Sequence, residues 1–257
     1  MLHLINIEIL KLQRNRPFLV LMILFVIGLF GINSLAAEIM SRSPFNFCKF
    51  PEVWKIVSYI SSYFLVVPGM IMIMHTCSEY TYRTNRQNII DGLSRDQYIT
   101  SKILFMTALA LFSTLLTAVC AFLVGMYGDA SVSFKNFKYI YYFFVQALLY
   151  IELSFFFALM FKKAALSIGL FLVYSFIIEN ILERYLNKIS SGIGNIGYML
   201  PLSSSDHLLQ FDYVRKALSS INMGEYPKSE YVYLMVSIAY IILIGLVCYF
   251  RYRKQDL

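Results

Sequence analysis

Charge is scarce in this sequence: Asp, Glu, Lys and Arg make up 14% of its 257 residues, against roughly 25% in an ordinary soluble domain. Apolar and aromatic side chains fill 59% of the chain, and its mean hydropathy is +0.64. That balance excludes a disordered chain and a water-soluble globule of this size. Four scattered cysteines give no disulfide framework. Three histidines, at positions 3, 75 and 207, are too few and too far apart for a metal centre. His75, Cys77 and Glu79 stand two apart, and on a helix only His75 and Glu79 share a face. The chain contains no G-x-x-x-x-G-K-[ST], H-E-x-x-H or G-x-S-x-G, so it carries no phosphate-cradling loop and no hydrolase signature.

What is present is a set of long apolar runs. Spans are expected at about 18–37, 53–77, 102–127, 138–161, 163–182 and 231–250, since ~20 residues of helix cross a ~30 Å hydrocarbon layer. The fifth has only 15 uncharged residues between Lys163 and Glu179. It reaches full length if Lys162 and Lys163 snorkel at one end and Glu179 and Asn180 sit among the opposite headgroups. The fold class expected is therefore all-α integral membrane, one domain over 1–257.

Sorting the charges by side orients these spans. Lys11, Arg14, Arg16, Arg83, Arg86, Arg95, Lys102, Lys162, Lys163, Arg251, Arg253 and Lys254 fall on one side with five acids, a net +7. The other side holds ten cations and nine acids, so the whole basic excess of the chain lies on one face. Cytoplasmic segments near span ends retain such an excess. Both termini are thus expected inside, and the positive charge marks orientation with no nucleic acid partner. Ser34-Leu35-Ala36 after the first apolar run imitates a signal cleavage site. However, the basic region before it is long and includes Glu8, and Leu2, Ile5, Ile9 and Leu12 recur at helical spacing. That describes an amphipathic helix over 1–16 lying in the interface, with Pro17 suited to the start of the first span.

Two connections have room for function. The cytoplasmic one, 78–101, mixes charge with apolar Ile89, Ile90 and Leu93, so a short helix ending at Gly92 would present one apolar face. The external one, 183–230, contains Gly192-Ile193-Gly194-Asn195-Ile196-Gly197, formally a dinucleotide fingerprint. That fingerprint works only where a strand turns into a helix, which this context excludes. Short interfacial or re-entrant helices are expected there, one ending near Tyr198-Met199-Leu200-Pro201 and another beginning with Ser205 or Asp206 as N-cap. Ser205-Asp206-His207 names a triad without its geometry, because neighbouring residues do not converge as nucleophile, base and orienter.

The order of residues after span two resembles one family: Glu79, then Thr84, Arg86 and Gln87, a turn at Gly92-Leu93-Ser94-Arg95, and Lys102 opening span three. Together with Ile7-Glu8-Ile9-Leu10-Lys11-Leu12 through Arg16-Pro17-Phe18, and the external Leu200-Pro201, this is similar to the permease subunits of ABC exporters of the second type. The resemblance implies six spans after an interfacial elbow helix, with short external helices before the last span. It implies a coupling helix in the 78–101 connection, with Glu79, Thr84, Arg86, Gln87, Asp91, Gly92, Ser94 and Arg95 as ATPase-coupling residues. It further implies a separate ABC ATPase subunit carrying ATP and Mg, a second permease copy, surrounding membrane lipids and a bacterial inner membrane. The chain itself would be non-catalytic and bind no cofactor.

Two intramembrane features stand out. Glu152 is the single charge well inside a span, and such a carboxylate costs about 2.5 kcal/mol or more unless paired, neutralised or facing water. It has two readings: a residue of the substrate path, or one hydrogen-bonded to Ser113, Thr114 or Thr117 of span three. Pro68-Gly69 falls mid-span and predicts a kink or hinge in the second helix. A membrane-embedded enzyme acting on lipids or peptides is the rival reading, and the missing motifs speak against it. A channel would not need the basic connection after span two.

Overall fold

The computed structural model describes residues 16–41, 49–82, 84, 94–128, 132–190, 196–209 and 229–253. Among these there is no strand. The helices are α1 (Arg16–Ser41), α2 (Val53–Ser62), α3 (Val66–Thr81), α4 (Arg95–Gly128), α5 (Lys138–Phe161), α6 (Ala164–Val173), α7 (Glu179–Ile189), α8 (Pro201–Asp206) and α9 (Glu230–Arg253). A π-helical stretch, Tyr174–Ile178, joins α6 to α7 without a break in the rod, making one span over Ala164–Ile189. Among the described residues five helices are long and apolar enough to cross a membrane, and α2 with α3, bent by 45°, make a sixth if the pair counts as one span. The elbow helix expected over 1–16 lies outside the described residues except for Arg16, which opens α1 with Pro17 in its first turn.

The helix ends are written in local chemistry. Ser94 and Gln97 form a reciprocal capping box at the start of α4: the Gln97 N–H donates to Ser94 Oγ at 3.2 Å and the Ser94 N–H to Gln97 Oε1 at 3.0 Å. Span three therefore starts at Arg95, seven residues before the boundary at 102, and this 34-residue helix is about 50 Å long. At the same end of the bundle α5 stops where Lys162 adopts a left-handed conformation, φ 55°, and Lys163 leads straight into α6. Lys162 lies over the Tyr80 ring at 5.5 Å from the centroid, which ties this turn to α3.

The bundle is arranged around α5. Buried residues make up 72% of its apolar core stretch, against 17–33% in the other continuous spans, so α5 is central together with the largely buried α2 and α3, and the other continuous spans are peripheral. Outward faces such as Leu19, Ile23 and Ile27 of α1, or Leu111 and Leu115 of α4, are apolar and exposed, as lipid or a second copy requires. A second buried cluster joins α1, α2, α4 and α5 through Phe25, Leu29, Trp54, Val57, Cys120 and Ile140. In it the indole N–H of Trp54 donates to the Ser133 carbonyl at 2.8 Å. Asn33 of α1 crosses to α2, donating to Ser61 Oγ at 3.0 Å.

Span two bends at Tyr63–Leu65, just before the Pro68-Gly69 pair. Pro68 sits in the first turn of α3, where a helix has no use for the missing N–H. Gly69 has a packing reason for its missing side chain: a Cβ there would stand 2.8 Å from two carbons of the Phe171 ring and 3.4 Å from Ser154 Cβ. Phe171 is fully buried, so the ring has little room to retreat. Gly69→Ala is expected to cost about 1–3 kcal/mol, read as a lowered unfolding midpoint in detergent or nanodiscs. Gly31→Ala, where nothing lies within 4 Å, should leave the midpoint unchanged or slightly raised.

Candidate functional site

Two polar assemblies lie inside the bundle, one at each half of α5. The first stands at the base of the 78–101 connection. Glu79, in the last turn of α3, and Lys102, in the second turn of α4, form an ion pair at 2.8 Å with relative exposures of 3% and 0%. Tyr98, one turn before Lys102, donates its hydroxyl to the other Glu79 oxygen at 2.5 Å. His75, one turn before Glu79, puts Nε2 3.1 Å from Lys102 Nζ and accepts from it. Thus His75 and Glu79 do share a face, and an ammonium ion occupies it where a metal would have been the alternative. The Tyr98 ring stacks on Tyr252 of α9, centroids 4.6 Å apart and nearly parallel, while the Tyr249 hydroxyl donates to Asp96 at 3.0 Å. The clamp therefore joins the ends of spans two, three and six.

Of the residues the sequence assigned to coupling, Glu79 faces inward and is engaged by Lys102 and Tyr98. Thr84 is half-buried, Ser94 caps α4, and Arg95 is the first residue of that helix. Arg86, Gln87, Asp91 and Gly92 lie outside the described residues.

The second assembly is built by the segment 196–209, which folds back into the bundle. A tight 3-10 turn, Ile196–Met199, leads to Pro201 at the first position of α8, and a second such turn, His207–Leu209, follows it. Pro201 opens this element, and Ser205 and Asp206 close it, the reverse of the expected helix start there. The reason is a cap supplied from outside: Glu179 of α7, buried, accepts the N–H groups of Leu202 and Ser203 through Oε1 at 2.6 and 2.8 Å. One turn on, Glu183 accepts from the Ser203 hydroxyl at 2.7 Å, and a further turn on Asn187 Oδ1 accepts the Gly197 N–H at 2.8 Å. The helix of the fifth span thus continues to Ile189, beyond the boundary at 182, and Glu179 is buried within the protein, where it acts as a docking group. Gly197, the last glycine of the apparent fingerprint, lies so close to the Glu183 carbonyl that no Cβ fits, and this is a helix-packing glycine. Ser204 meets Ser237 of α9 at 3.1 Å; small hydroxyl residues allow such close helix approach.

At the end of α8, Asp206 accepts from Gln146 Nε2 at 2.6 Å and from the Tyr150 hydroxyl at 3.1 Å, both on α5. Ser205 donates to the Leu202 carbonyl and His207 Nδ1 lies 2.6 Å from the Ser203 carbonyl. The three neighbours therefore point at three different partners, and no triad forms. No group of three His, Cys, Asp or Glu suited to a metal ion exists among the described residues.

Glu152 lies two residues beyond Tyr150 and on the opposite side of α5, buried against α9. Gly245 makes the room: Oε1 stands 2.7 Å from where a Cβ at that position would be, and Oε2 accepts no hydrogen bond among the described residues. Ser113, Thr114 and Thr117 are not its partners, since each donates to a carbonyl of its own helix, at 2.8, 2.8 and 3.0 Å. The sequence missed α9 because a glycine leaves no polar signal.

Matched against family models, residues 4–178 fit that of the ABC-2 family transporter proteins, about two thirds of the chain. The chain belongs to this family. It is an ABC transporter permease and an integral membrane protein. Comparison with curated proteins finds no match. The matched part of the permease includes the Glu79–Lys102 clamp and Glu152, and it stops at the π-helical stretch, one residue before Glu179. The element that folds back into the bundle lies wholly beyond it.

A buried ion pair broken on one side leaves an uncompensated charge. Lys102→Met alone is expected to cost this permease about 3 kcal/mol or more, and Glu79→Gln alone a comparable amount. Lys102→Met combined with Glu79→Gln should recover over half of the loss, measured by unfolding in nanodiscs. Additive losses in the double variant would show that the pair is not coupled.

Proposed function

We propose that this permease is the membrane subunit of an exporter in which two copies associate with two ABC ATPase subunits, and that ATP-driven closure of the ATPases switches the helices between inward-facing and outward-facing states. ATP and Mg reside on the partner. The membrane is the bacterial inner membrane, both termini and the 78–101 connection are cytoplasmic, and residues 1–16 lie as an elbow in the interface.

The observation that supports the coupling role best is the clamp. A connection that docks on a motor transmits work only if its two ends move as a unit, and Glu79, Tyr98, Lys102 and His75 bind those two ends together in a site excluded from water. In this reading Arg86, Gln87, Asp91, Gly92 and Arg95, with Thr84 and Ser94 at the margins, form the surface that meets the ATPase. Glu79 and Lys102 keep that surface at a fixed angle to spans two and three. The 45° bend beside Pro68 and Gly69 is where span two flexes, and Glu152 lines the path on the α9 side.

The ATPase should co-purify with the wild-type permease. Arg86→Ala combined with Arg95→Ala should abolish that association without shifting the unfolding midpoint. Recovery of wild-type permease from native membranes with no ATPase attached would sink the proposal. In the reconstituted complex, a panel of lipid, peptide and ionic compounds should include at least one that stimulates ATP hydrolysis. Glu152→Gln is expected to reduce that stimulation at least fivefold, and equal stimulation across pH would remove Glu152 from the path.

A further inference from the structure

The segment 196–209 reaches deep into the bundle, and two rulers that start from the Lys138–Glu230 ion pair agree on this. Gln146 and Tyr150 lie about 12 and 18 Å along α5 from Lys138, and Ser237 about 10 Å along α9 from Glu230. A hydrocarbon layer is ~30 Å thick, so Asp206 stands well inside the length of helix that crosses it. Yet Asp206 is exposed, although the Gln146 and Tyr150 side chains that hold it are buried at 1% and 8% exposure. An ionisable group at that depth is too costly against lipid tails and is placed toward a water-filled passage or a bound partner.

The chemistry around Asp206 has one sign. The charged groups acting on it among the described residues are Glu183 and Glu179, both also acidic. Its hydrogen-bond donors, Gln146 Nε2 and the Tyr150 hydroxyl, are already spent on it. Gln146 Oε1, in the same buried amide, accepts nothing among the described residues. Tyr63, 62% exposed at the bend of span two, lies within electrostatic reach of Asp206, and its hydroxyl pairs with that of Tyr59 at 2.7 Å. Among the described residues the site is thus short of donors and of positive charge, and it has aromatic rings beside it. A quaternary ammonium supplies charge without N–H donors, an anion is repelled, and a metal ion lacks its ligand set.

We propose that Asp206, backed by the Gln146 amide and flanked by Tyr59 and Tyr63, binds a primary ammonium group well inside the permease. The proposal deepens the transport reading and rests on it for placing the site on the substrate path; binding itself does not require an ATPase. The ammonium arrives on an aminophospholipid headgroup or on a soluble amine.

The test is binding to the full-length permease in phosphatidylcholine nanodiscs, with dodecylamine as probe and dodecyltrimethylammonium as the donor-free control. Dodecylamine should bind at least tenfold more tightly than the control. Asp206→Asn should weaken it at least tenfold, and Gln146→Leu severalfold, while both variants retain the wild-type unfolding midpoint. If Asp206→Asn lowers that midpoint, Tyr63→Ala, at an exposed position, takes its place and should weaken dodecylamine severalfold. Displacement by added phosphatidylethanolamine identifies the lipid headgroup as the source, and displacement by spermidine the soluble amine. Equal affinity for the two probes, undiminished dodecylamine binding in folded Asp206→Asn or in Tyr63→Ala, or displacement by neither competitor overturns the proposal. An ATPase missing from the preparation would instead strike the exporter reading and leave the binding result standing.

Discussion

In a bundle whose outer faces are leucine, isoleucine and phenylalanine, a charged group must find its counterpart within the protein, and much of this architecture follows from that constraint. Lys102 and Glu79 meet because neither can be left alone at 0% and 3% exposure. Their meeting fixes α3 to α4 where the two ends of the connection between them come together. The Glu179 carboxylate performs the corresponding service farther along the chain. Two backbone N–H groups of a six-residue helix would otherwise be stranded, and a buried acceptor on α7 admits the segment to the interior. Both interactions use a carboxylate to solve a hydrogen-bonding problem, and both decide where a neighbouring element can sit.

The central position of α5 follows from the same constraint. Its apolar residues pack against nearly every other span, and its few polar ones, Gln146, Tyr150 and Glu152, are directed to opposite sides. One side receives Asp206 and the other the notch at Gly245. The family match divides the chain in a related way. The clamp and connection lie in the portion shared with ABC-2 proteins, while Glu179, α8 and α9 lie beyond residue 178. The clamp thus falls in the part that the family model matches, and the returning segment beyond it.

The spans were legible because lipid imposes a composition, and Glu79 and Lys102 could be placed at the ends of spans two and three from charge alone. Their mutual contact could not, since it depends on how α3 and α4 cross. The early start of α4 was signalled by Ser94 and Gln97, a capping pair that a hydropathy boundary at 102 overlooks. Glu179 misled because a carboxylate at the end of an apolar run looks like a headgroup anchor; only the presence of Leu202 and Ser203 beside it reveals a cap. Asp206 misled for a similar reason. Serine and aspartate ahead of an apolar stripe resemble a helix start on the surface, and Pro201, five residues before Asp206, was the better signal.

The lone tryptophan of this chain offers a last consequence. Trp54 is buried at the start of α2, its indole bonded to the Ser133 carbonyl and its ring stacked on Phe134. It sits where α2 meets the loop that enters α5, at the end of the bundle opposite the clamp. Intrinsic tryptophan emission from the unmodified permease therefore originates at a single address. Any change in it provoked by events at the far side would be a long-range message carried through the helices, with no label attached.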